Sequence, residues 1–333
     1  MSISCHAAME SAKALEPFEY EPRELGPKDI EIAITHCGVC HTDVHLIDND
    51  WGISSYPLVP GHEIVGTVSA MGAEVSGLEI GQRVGVGGQA GSCCDCEYCE
   101  KGEDIFCTTP VYTAVHDFGG FATAIHVDSH FAFPIPESIP SEIAAPLLCA
   151  GITTFKPLRQ HVSSTSKVGV IGLGGLGHVG LQFANAFGCE VTAFSTSPDK
   201  EADAMSLGAH RFVNTTDPAQ MEAVAGTLDF ILSTVSADLE WGPYLGALAP
   251  NGTICVLGVG ETLSIPAVPL IFGQKTITSS LIGNRSDFRE MLAFAAMHNI
   301  APRVEVLPMS QAAEAINTVR TSRLGHRIVL TNN

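Results

Sequence analysis

A short cysteine-rich loop is the feature that most constrains how this chain can fold. Cys93, Cys96, Cys99 and Cys107 give the spacing C-x2-C-x2-C-x7-C. Four thiolates at this spacing can close a tetrahedron around Zn²⁺ with no open position, which is the pattern of a structural site. Disulfides or free thiols are the alternative, but closely spaced C-x2-C pairs fit a metal tetrahedron better. An iron–sulfur cluster also accepts four thiolates, so the loop predicts a metal site and leaves the metal open, with Cys94 as a bystander.

Composition sets the broad class of the protein. The chain has 333 residues, 45% of them hydrophobic, which is enough for two domains with separate cores. The formal net charge of −19 argues against a nucleic-acid partner or an anionic membrane surface, and a charged fraction of 16% does not fit a disordered acidic chain. With no signal-peptide pattern, no membrane-spanning apolar run and cysteines in ligand-like patterns, we expect a soluble protein of the reducing cytoplasm.

The first half of the chain has the pattern of a mostly β domain. The segment 29–35 alternates as a half-buried strand, and the segment 63–70 is rich in β-forming residues. Glycines punctuate this half closely, as expected for short strands joined by turns.

From about Gly151 the pattern changes to alternating strands and helices. One helix is predicted over 176–187, a second ends near Gly208, and a third is predicted over 287–298. The last strand, 325–330, is expected to return to the first domain. Such alternation predicts βαβ units and a doubly wound parallel sheet. Its strands are predicted at 167–172, 189–194, 229–234, 253–257 and 276–281.

A glycine-rich turn follows the first of these strands. Gly172, Gly174 and Gly177 form a GxGxxG between a strand and a helix. A close-packed glycine turn without a ligand is the alternative reading. In this context the motif predicts a dinucleotide, because glycines let the backbone approach a pyrophosphate at a helix N-terminus.

The end of the next strand indicates which dinucleotide binds. NAD selection normally uses an acid at this place, but the strand ends in Ser195, Thr196 and Ser197, followed by Lys200. Hydroxyls and a lysine can bind a 2′-phosphate, whereas Asp199 lies at the start of the following helix. The serines could equally cap that helix. We predict NADPH.

A second set of metal ligands is dispersed along the chain. Cys40, His62 and Cys149 together would form a Cys₂His site with a fourth position open to water or substrate, a ligand set known from alcohol dehydrogenase. Taken singly each residue is ambiguous, because a cysteine is often a small core residue and a lone histidine is usually structural.

The ordered set of motifs resembles the zinc-dependent medium-chain alcohol dehydrogenases, in particular their cinnamyl-alcohol-dehydrogenase-like branch and its bacterial NADPH-dependent broad-range aldehyde reductases. The resemblance implies an α/β plus mainly β fold, in which a mainly β domain is combined with an α/β domain that has a doubly wound parallel sheet. A GroES-like catalytic domain (1–151 and 286–333) with both zinc sites would be interrupted by a Rossmann domain (152–285), usually in a homodimer. The resemblance covers nearly the whole chain. The motifs that carry it are 37–43, 56–63, the four-cysteine loop, 146–153, 172–178 and 195–197.

The resemblance also implies roles for single residues. Cys40, His62 and Cys149 would bind the catalytic zinc, and Cys93, Cys96, Cys99 and Cys107 the structural zinc. Asp43 would orient His62, and Glu63 would be the nearby acid that can exchange with bound water. Thr42 would pass a proton towards the cofactor ribose and His45 would connect that ribose to solvent.

Cofactor contacts are implied along both halves of the chain. The residues implied are Thr153, Gly172, Leu173, Gly174, Gly175, Leu176, Gly177, Ser195, Thr196, Ser197, Lys200, Thr234, Val235, Gly258, Val259, Ile282 and Arg327.

The expected activity is zinc-dependent reversible hydride transfer between NADPH and small aldehydes, giving primary alcohols from aliphatic or aromatic aldehydes. Apolar pocket candidates are Trp51, Leu148, Trp241 and Ile282, although Trp51 fits ordinary core packing equally well. The alternative is a non-catalytic zinc-binding or redox-responsive protein on the same fold. That alternative depends on the spare thiols of Cys5, Cys37, Cys94, Cys189 and Cys255.

Overall fold

The chain folds into two compact units. A computed structural model describes residues 2–237, 239–258, 260, 262–322 and 324–332. The first unit comprises Met1–Cys149, Ile282–Met297 and Ala301–Asn333. The second comprises Ala150–Leu281 and His298–Ile300. The second unit is therefore an insertion into the chain of the first.

Seventeen strands are described. They are β1 (Ile3–Ala7), β2 (Glu16–Tyr20), β3 (Asp29–Val39), β4 (Ile64–Met71), β5 (Arg83–Val86), β6 (Gln89–Gly91), β7 (Val111–Tyr112), β8 (Ala124–Asp128), β9 (Phe133–Pro134), β10 (Lys167–Ile171), β11 (Glu190–Ser195), β12 (Arg211–Asn214), β13 (Leu228–Ser233), β14 (Leu248–Val256), β15 (Thr276–Ser279), β16 (Val304–Pro308) and β17 (Arg327–Thr331).

Eleven α-helices are described, with short 3₁₀ or π turns between some of them. They are α1 (His41–Asp48), α2 (Glu97–Glu100), α3 (Ser141–Pro146), α4 (Ile152–His161), α5 (Gly177–Ala186), α6 (Glu201–Ser206), α7 (Pro218–Glu222), α8 (Trp241–Ala247), α9 (Ala267–Phe272), α10 (Arg285–His298) and α11 (Ala312–Thr321). Across the described residues, every helix is too short or too polar to cross a bilayer.

The first unit is built on a seven-stranded sheet. Its strand order is β16-β17-β3-β4-β5-β9, and β8 pairs with β3 away from that path. The alternation in β3 buries Ile30, Ile32 and Ile34 against the core. The C-terminal strand β17 pairs antiparallel with β3, with Ile328 opposite Val39. The prediction that the last strand returns to the first domain is therefore confirmed.

The second unit is a six-stranded parallel sheet in the order β12-β11-β10-β13-β14-β15. The order reverses at β10, so the predicted doubly wound sheet is confirmed. The sequence reading missed β12, because only Val213 of its four residues is buried and no apolar run marks it.

One pocket prediction is wrong. Trp241 is only 4% exposed and lies in the hydrophobic core of the second unit, in edge contact with Tyr244. Its large apolar side chain therefore stabilises that core rather than facing a substrate.

Candidate active site and metal centres

The four-cysteine loop forms a closed cluster of sulfur atoms. The ligand atoms of Cys93, Cys96, Cys99 and Cys107 all lie within 4.8 Å of one another. The sulfur of Cys99 is 3.9 Å from that of Cys93 and 3.6 Å from that of Cys96, and the sulfur of Cys107 is 3.5 Å from that of Cys93. Sulfurs at tetrahedral angles and Zn–S distances near 2.3 Å are separated by about 3.8 Å. The cluster therefore fits a zinc ion with all four positions filled.

The second cluster is assembled from three separate segments of the first unit. Cys40 lies between β3 and α1, and His62 and Glu63 directly precede β4. Cys149 lies in a π-helical turn, Leu147–Gly151, a distortion that is often found at functional sites. The ligand atoms of these four residues lie within 4.8 Å of one another, and all four residues are buried.

The donor set of this cluster fits a zinc ion. The sulfurs of Cys40 and Cys149 are 3.9 Å apart, close to the separation that two zinc thiolates require. His62 Nε2 is buried and has no hydrogen-bond partner among the described residues. A buried nitrogen without a partner is costly unless something binds it, and a metal ion beside the two sulfurs would do so.

Asp43 fixes the geometry around His62. One of its oxygens lies 3.0 Å from His62 Nδ1 and accepts a hydrogen bond from the Gly61 amide at 2.8 Å. The other oxygen accepts from the Cys40 amide at 2.9 Å, which also caps the start of α1. Because Nδ1 faces the carboxylate, Nε2 is left to face the two sulfurs, as a carboxylate–histidine–metal arrangement requires.

Glu63 and Arg327 form a buried ion pair at the edge of this cluster. Arg327 opens β17, and the pairing of β17 with β3 brings it to Glu63. Burial raises the pKa of Glu63 to about 8, against the opposing charge of Arg327. The position of the Glu63 carboxylate also requires a glycine at Gly38, because an added Cβ there would lie 1.9 Å from Glu63 Oε2. The sequence reading missed Gly38.

The contact between the two cysteine sulfurs shifts their pKa values in opposite directions. The hydrogen bond from Cys149 holds the pKa of Cys40 well below the usual value, and the same bond raises the pKa of Cys149. One thiolate is therefore already favoured, and a bound cation would favour the second.

His45 has a carboxylate partner that the sequence reading also missed. His45 Nδ1 lies 2.7 Å from Asp50 Oδ2, just beyond the end of α1. The His45 ring is 5.1 Å from the ring of Trp51, which is exposed, so ordinary core packing is excluded for Trp51. Thr42 lies one turn earlier on α1 and is partly exposed. In the sequence, the only indication of the His45–Asp50 pair is an acidic residue five positions after His45.

The glycine-rich turn of the second unit is closely packed. Gly172 has φ +88°, and an added Cβ would lie 2.5 Å from Val235 Cγ1. At Gly177, the first residue of α5, a Cβ would lie 1.8 Å from the Gly172 carbonyl oxygen. Only glycine fits these two places, as expected for the first and third glycines of a dinucleotide-binding turn, which allow the tight turn and the close approach of the helix to the strand.

The end of β11 presents hydroxyls and no acid. Ser195 is the last residue of the strand, and its Oγ accepts a hydrogen bond from the Ser197 amide at 3.1 Å. Thr196 is exposed, while Ser195, Ser197 and Lys200 are half-buried. The donors required for a 2′-phosphate are thus accessible at this turn.

The other predicted cofactor contacts are distributed over both units. Thr234 donates a hydrogen bond to the Ile171 carbonyl at 2.8 Å, and at Gly258 a Cβ would lie 1.9 Å from the Val235 carbonyl oxygen. Ile282 and Arg327 belong to the first unit, and Val259 lies outside the described residues. The remaining predicted contacts, Thr153, Leu173, Gly174, Gly175 and Leu176, lie in or beside α4 and the glycine-rich turn.

Four of the five spare thiols are buried and do not suit a redox sensor, whereas Cys94 is exposed. Burial raises the pKa of Cys5 and of Cys255 to about 12, and that of Cys189 to about 11. Burial likewise raises the pKa of Cys37 well above its usual value. Since the thiolate is the reactive form, burial disfavours oxidation of these four thiols.

Comparisons with known proteins agree with this geometry. The sequence-family model “Alcohol dehydrogenase GroES-like domain” matches residues 26–137, and “Zinc-binding dehydrogenase” matches residues 175–297. Aldehyde reductase AdhA of Synechocystis sp. is 42% identical over 332 residues, which are 99% of this chain and 99% of the relative. The chain belongs to the zinc-dependent medium-chain alcohol dehydrogenases, in the cinnamyl-alcohol-dehydrogenase-like branch.

Solved structures of this alcohol dehydrogenase family superpose over nearly the whole chain. Cinnamyl alcohol dehydrogenase SbCAD4 from Sorghum bicolor has a TM-score of 0.94 at 38% identity, with 99% of this chain and 98% of that chain covered. CAD from Helicobacter pylori complexed with NADP(H) has a TM-score of 0.92 at 32% identity, with the same coverage. The predicted family and fold class are therefore confirmed.

Proposed function

We propose that this protein is a zinc-dependent NADP-linked alcohol dehydrogenase that reduces aliphatic or aromatic aldehydes to primary alcohols, reversibly. The observation that carries the proposal is the buried Cys40–His62–Cys149 set, with an unpartnered His62 Nε2 and two sulfurs 3.9 Å apart. Cys40, His62 and Cys149 would hold a zinc ion and leave it able to bind the substrate oxygen. The relatives named for aldehyde and cinnamyl alcohol chemistry support the substrate class.

Each bound group supplies one part of the chemistry. Cys40, His62 and Cys149 would hold a zinc ion that supplies Lewis acidity towards the substrate carbonyl, and NADPH would supply the hydride. Cys93, Cys96, Cys99 and Cys107 would hold a second, structural zinc.

The chain's own residues orient the ligands and move the proton. Asp43 fixes the His62 ring, and the buried Arg327 balances the charge of Glu63 beside the cluster. Thr42 would pass a proton from the substrate oxygen towards the cofactor ribose, and His45 would connect that ribose to solvent. Asp50 holds His45 through Nδ1, so that Nε2 is free to exchange that proton with the surroundings.

The end of β11 supports NADPH over NADH. A carboxylate at this place would bind a ribose 2′-hydroxyl and repel a 2′-phosphate, and none is present at Ser195, Thr196 or Ser197. Lys200 adds a positive charge one turn later. The relative that was solved with NADP(H) supports the same assignment.

We further propose a cytoplasmic homodimer that forms through the edge of the parallel sheet. β15 is the edge strand, and the helix before it, α9, exposes Val268 at 66%, Ile271 at 68% and Phe272 at 87%. An apolar patch beside an open strand edge is the kind of surface that a second copy of the chain can cover. Reduced thiols throughout the described residues suit the cytoplasm.

The test is the initial rate of cofactor oxidation with a panel of aliphatic and aromatic aldehydes, with NADPH compared with NADH. We expect fast turnover with NADPH and little with NADH. Equal rates would refute the selectivity of the β11 turn while keeping the enzyme class. No turnover with either cofactor, in protein that carries two zincs per chain, would refute the proposed function and favour a non-catalytic zinc protein.

A further inference from the structure

A third group of metal-ligating side chains lies on the surface of the first unit, beside the four-cysteine loop. Cys94, Asp128 and His130 each offer one ligand atom, and these atoms lie within 4.8 Å of one another. None of the three belongs to either zinc set described above. We propose that Cys94, Asp128 and His130 form a peripheral, solvent-accessible site for a zinc-class divalent cation.

The backbone brings these residues together from two segments. β6 ends at Gly91 and leads into the turn that carries Cys94, while β8 ends at Asp128 and leads into the 3₁₀ turn Ser129–Phe131. Gly91 lies directly against Asp128, since an added Cβ on Gly91 would be 3.9 Å from Asp128 Cβ. β6 is held by pairing with β7 and β8 by pairing with β3, so the three side chains meet without any rearrangement of the fold.

The ligand atoms are already partly oriented. His130 Nδ1 lies 2.7 Å from Asp128 Oδ1, which also accepts from the His130 amide at 2.9 Å. Cys94 has φ +55°, and its sulfur lies 3.4 Å from Ser92 Oγ. With this left-handed backbone at Cys94, its sulfur lies within 4.8 Å of the ligand atoms of Asp128 and His130.

The charges around the site favour a cation. Arg285 lies close enough to Cys94 and Asp128 to interact with both, and alone it would repel a metal ion. Its charge is balanced by a bidentate ion pair with the buried Asp104, at 2.8 and 2.9 Å. The exposed Asp95 of the same loop adds negative charge next to Cys94. The local balance is therefore negative, which attracts cations.

The ligand chemistry selects the class of cation. A thiolate and an imidazole suit Zn²⁺ and similar transition metals, whereas Mg²⁺ and Ca²⁺ require oxygen ligands. Cys94 and His130 are exposed and Asp128 is half-buried. Small side-chain rotations can therefore bring their ligand atoms, which lie within 4.8 Å of one another, to the separation that zinc ligands require. Water would complete the coordination.

The experiment counts zinc in the intact holoprotein. Protein with both described sets loaded is dialysed against zinc buffers of increasing free concentration, and zinc per chain is measured by mass spectrometry. We expect one additional equivalent that excess Mg²⁺ does not displace. Cys94→Ser and His130→Gln should each weaken its binding by roughly tenfold or more. Asp95→Asn, which removes charge but no ligand, should retain the additional equivalent.

Several results would overturn the proposal. They are the absence of an additional equivalent, its displacement by Mg²⁺, and unchanged affinity in His130→Gln. If Cys94→Ser disturbs the neighbouring four-cysteine zinc, His130→Gln decides, because His130 lies outside that loop. The readout is metal content, so the result does not depend on whether the protein reduces aldehydes.

Discussion

Asp43 shows how a single residue determines the metal chemistry of this protein. It is fully buried, and its two oxygens contact His62 Nδ1, the Gly61 amide and the Cys40 amide. It thereby links two predicted zinc ligands that are far apart in the sequence, and it fixes which nitrogen of His62 faces the sulfurs.

We expect Asp43→Asn to lower the affinity of the Cys40–His62–Cys149 site for zinc by roughly 10- to 100-fold. The asparagine amide cannot accept all of these hydrogen bonds, and it does not raise the basicity of His62. Competition with a chelator measures the affinity. Asp48→Asn is the matched control on the same helix, because Asp48 pairs with Arg320 rather than with a zinc ligand. Equal zinc affinity in Asp43→Asn and the control would contradict the role assigned to Asp43.

Single residues also show how far the sequence could predict the site. The four-cysteine loop was readable because its ligands lie within one short segment, where spacing alone limits the geometry. The Glu63–Arg327 pair was not readable, because it depends on β17 pairing with β3 across most of the chain length. Arg327 was expected to contact the cofactor; the structure places it against Glu63, and the cofactor contact stays a prediction.

At the level of elements, the turn between β11 and the helix that follows carries the cofactor preference. We expect Ser195→Asp to lower kcat/KM for NADPH by about 100-fold and to favour NADH, because a carboxylate repels the 2′-phosphate and binds a free 2′-hydroxyl.

The matched control is Ser195→Ala, which removes one hydroxyl without adding charge. Loss of a single hydrogen bond should cost about 1 kcal/mol, or roughly fivefold. The kcat/KM ratio for the two cofactors measures both variants. An unchanged ratio in Ser195→Asp would show that the 2′-position is recognised elsewhere.

Elements also account for the outcome of the fold prediction. The strands β10, β11, β13 and β14 were predicted because each carries a buried apolar run with turn residues on both sides. β12 was missed because only Val213 of its four residues is buried, so no apolar run marks it. The pattern of Trp241 could not distinguish a substrate pocket from a core, because both bury a large aromatic side chain.

For the whole molecule, the exposed face of α9 and the edge of β15 predict the oligomeric state. We expect Phe272→Glu to convert a dimer into monomers, because a glutamate on this apolar face would be buried in the interface without an opposite charge. Light scattering during size-exclusion chromatography measures the mass. Met297→Glu is the control, since Met297 is 75% exposed but lies in the other unit. A wild-type monomer, or a Phe272→Glu dimer, would contradict the proposed interface.

The open Cys₂His set is the centre of the whole account, and Cys40→Ser tests it most directly. The measurement is the rate of NADPH-dependent aldehyde reduction together with zinc content, with Cys189→Ser as the control. Cys189 is a buried cysteine of the second unit whose hydrogen bond to Ser163 a serine can keep. Compared with the unsubstituted protein, we predict one zinc fewer per chain in Cys40→Ser and a rate at least about 100-fold lower, with zinc content and rate unchanged in the control. Full turnover by Cys40→Ser, with only the four-cysteine zinc bound, would contradict the assignment of the catalytic centre.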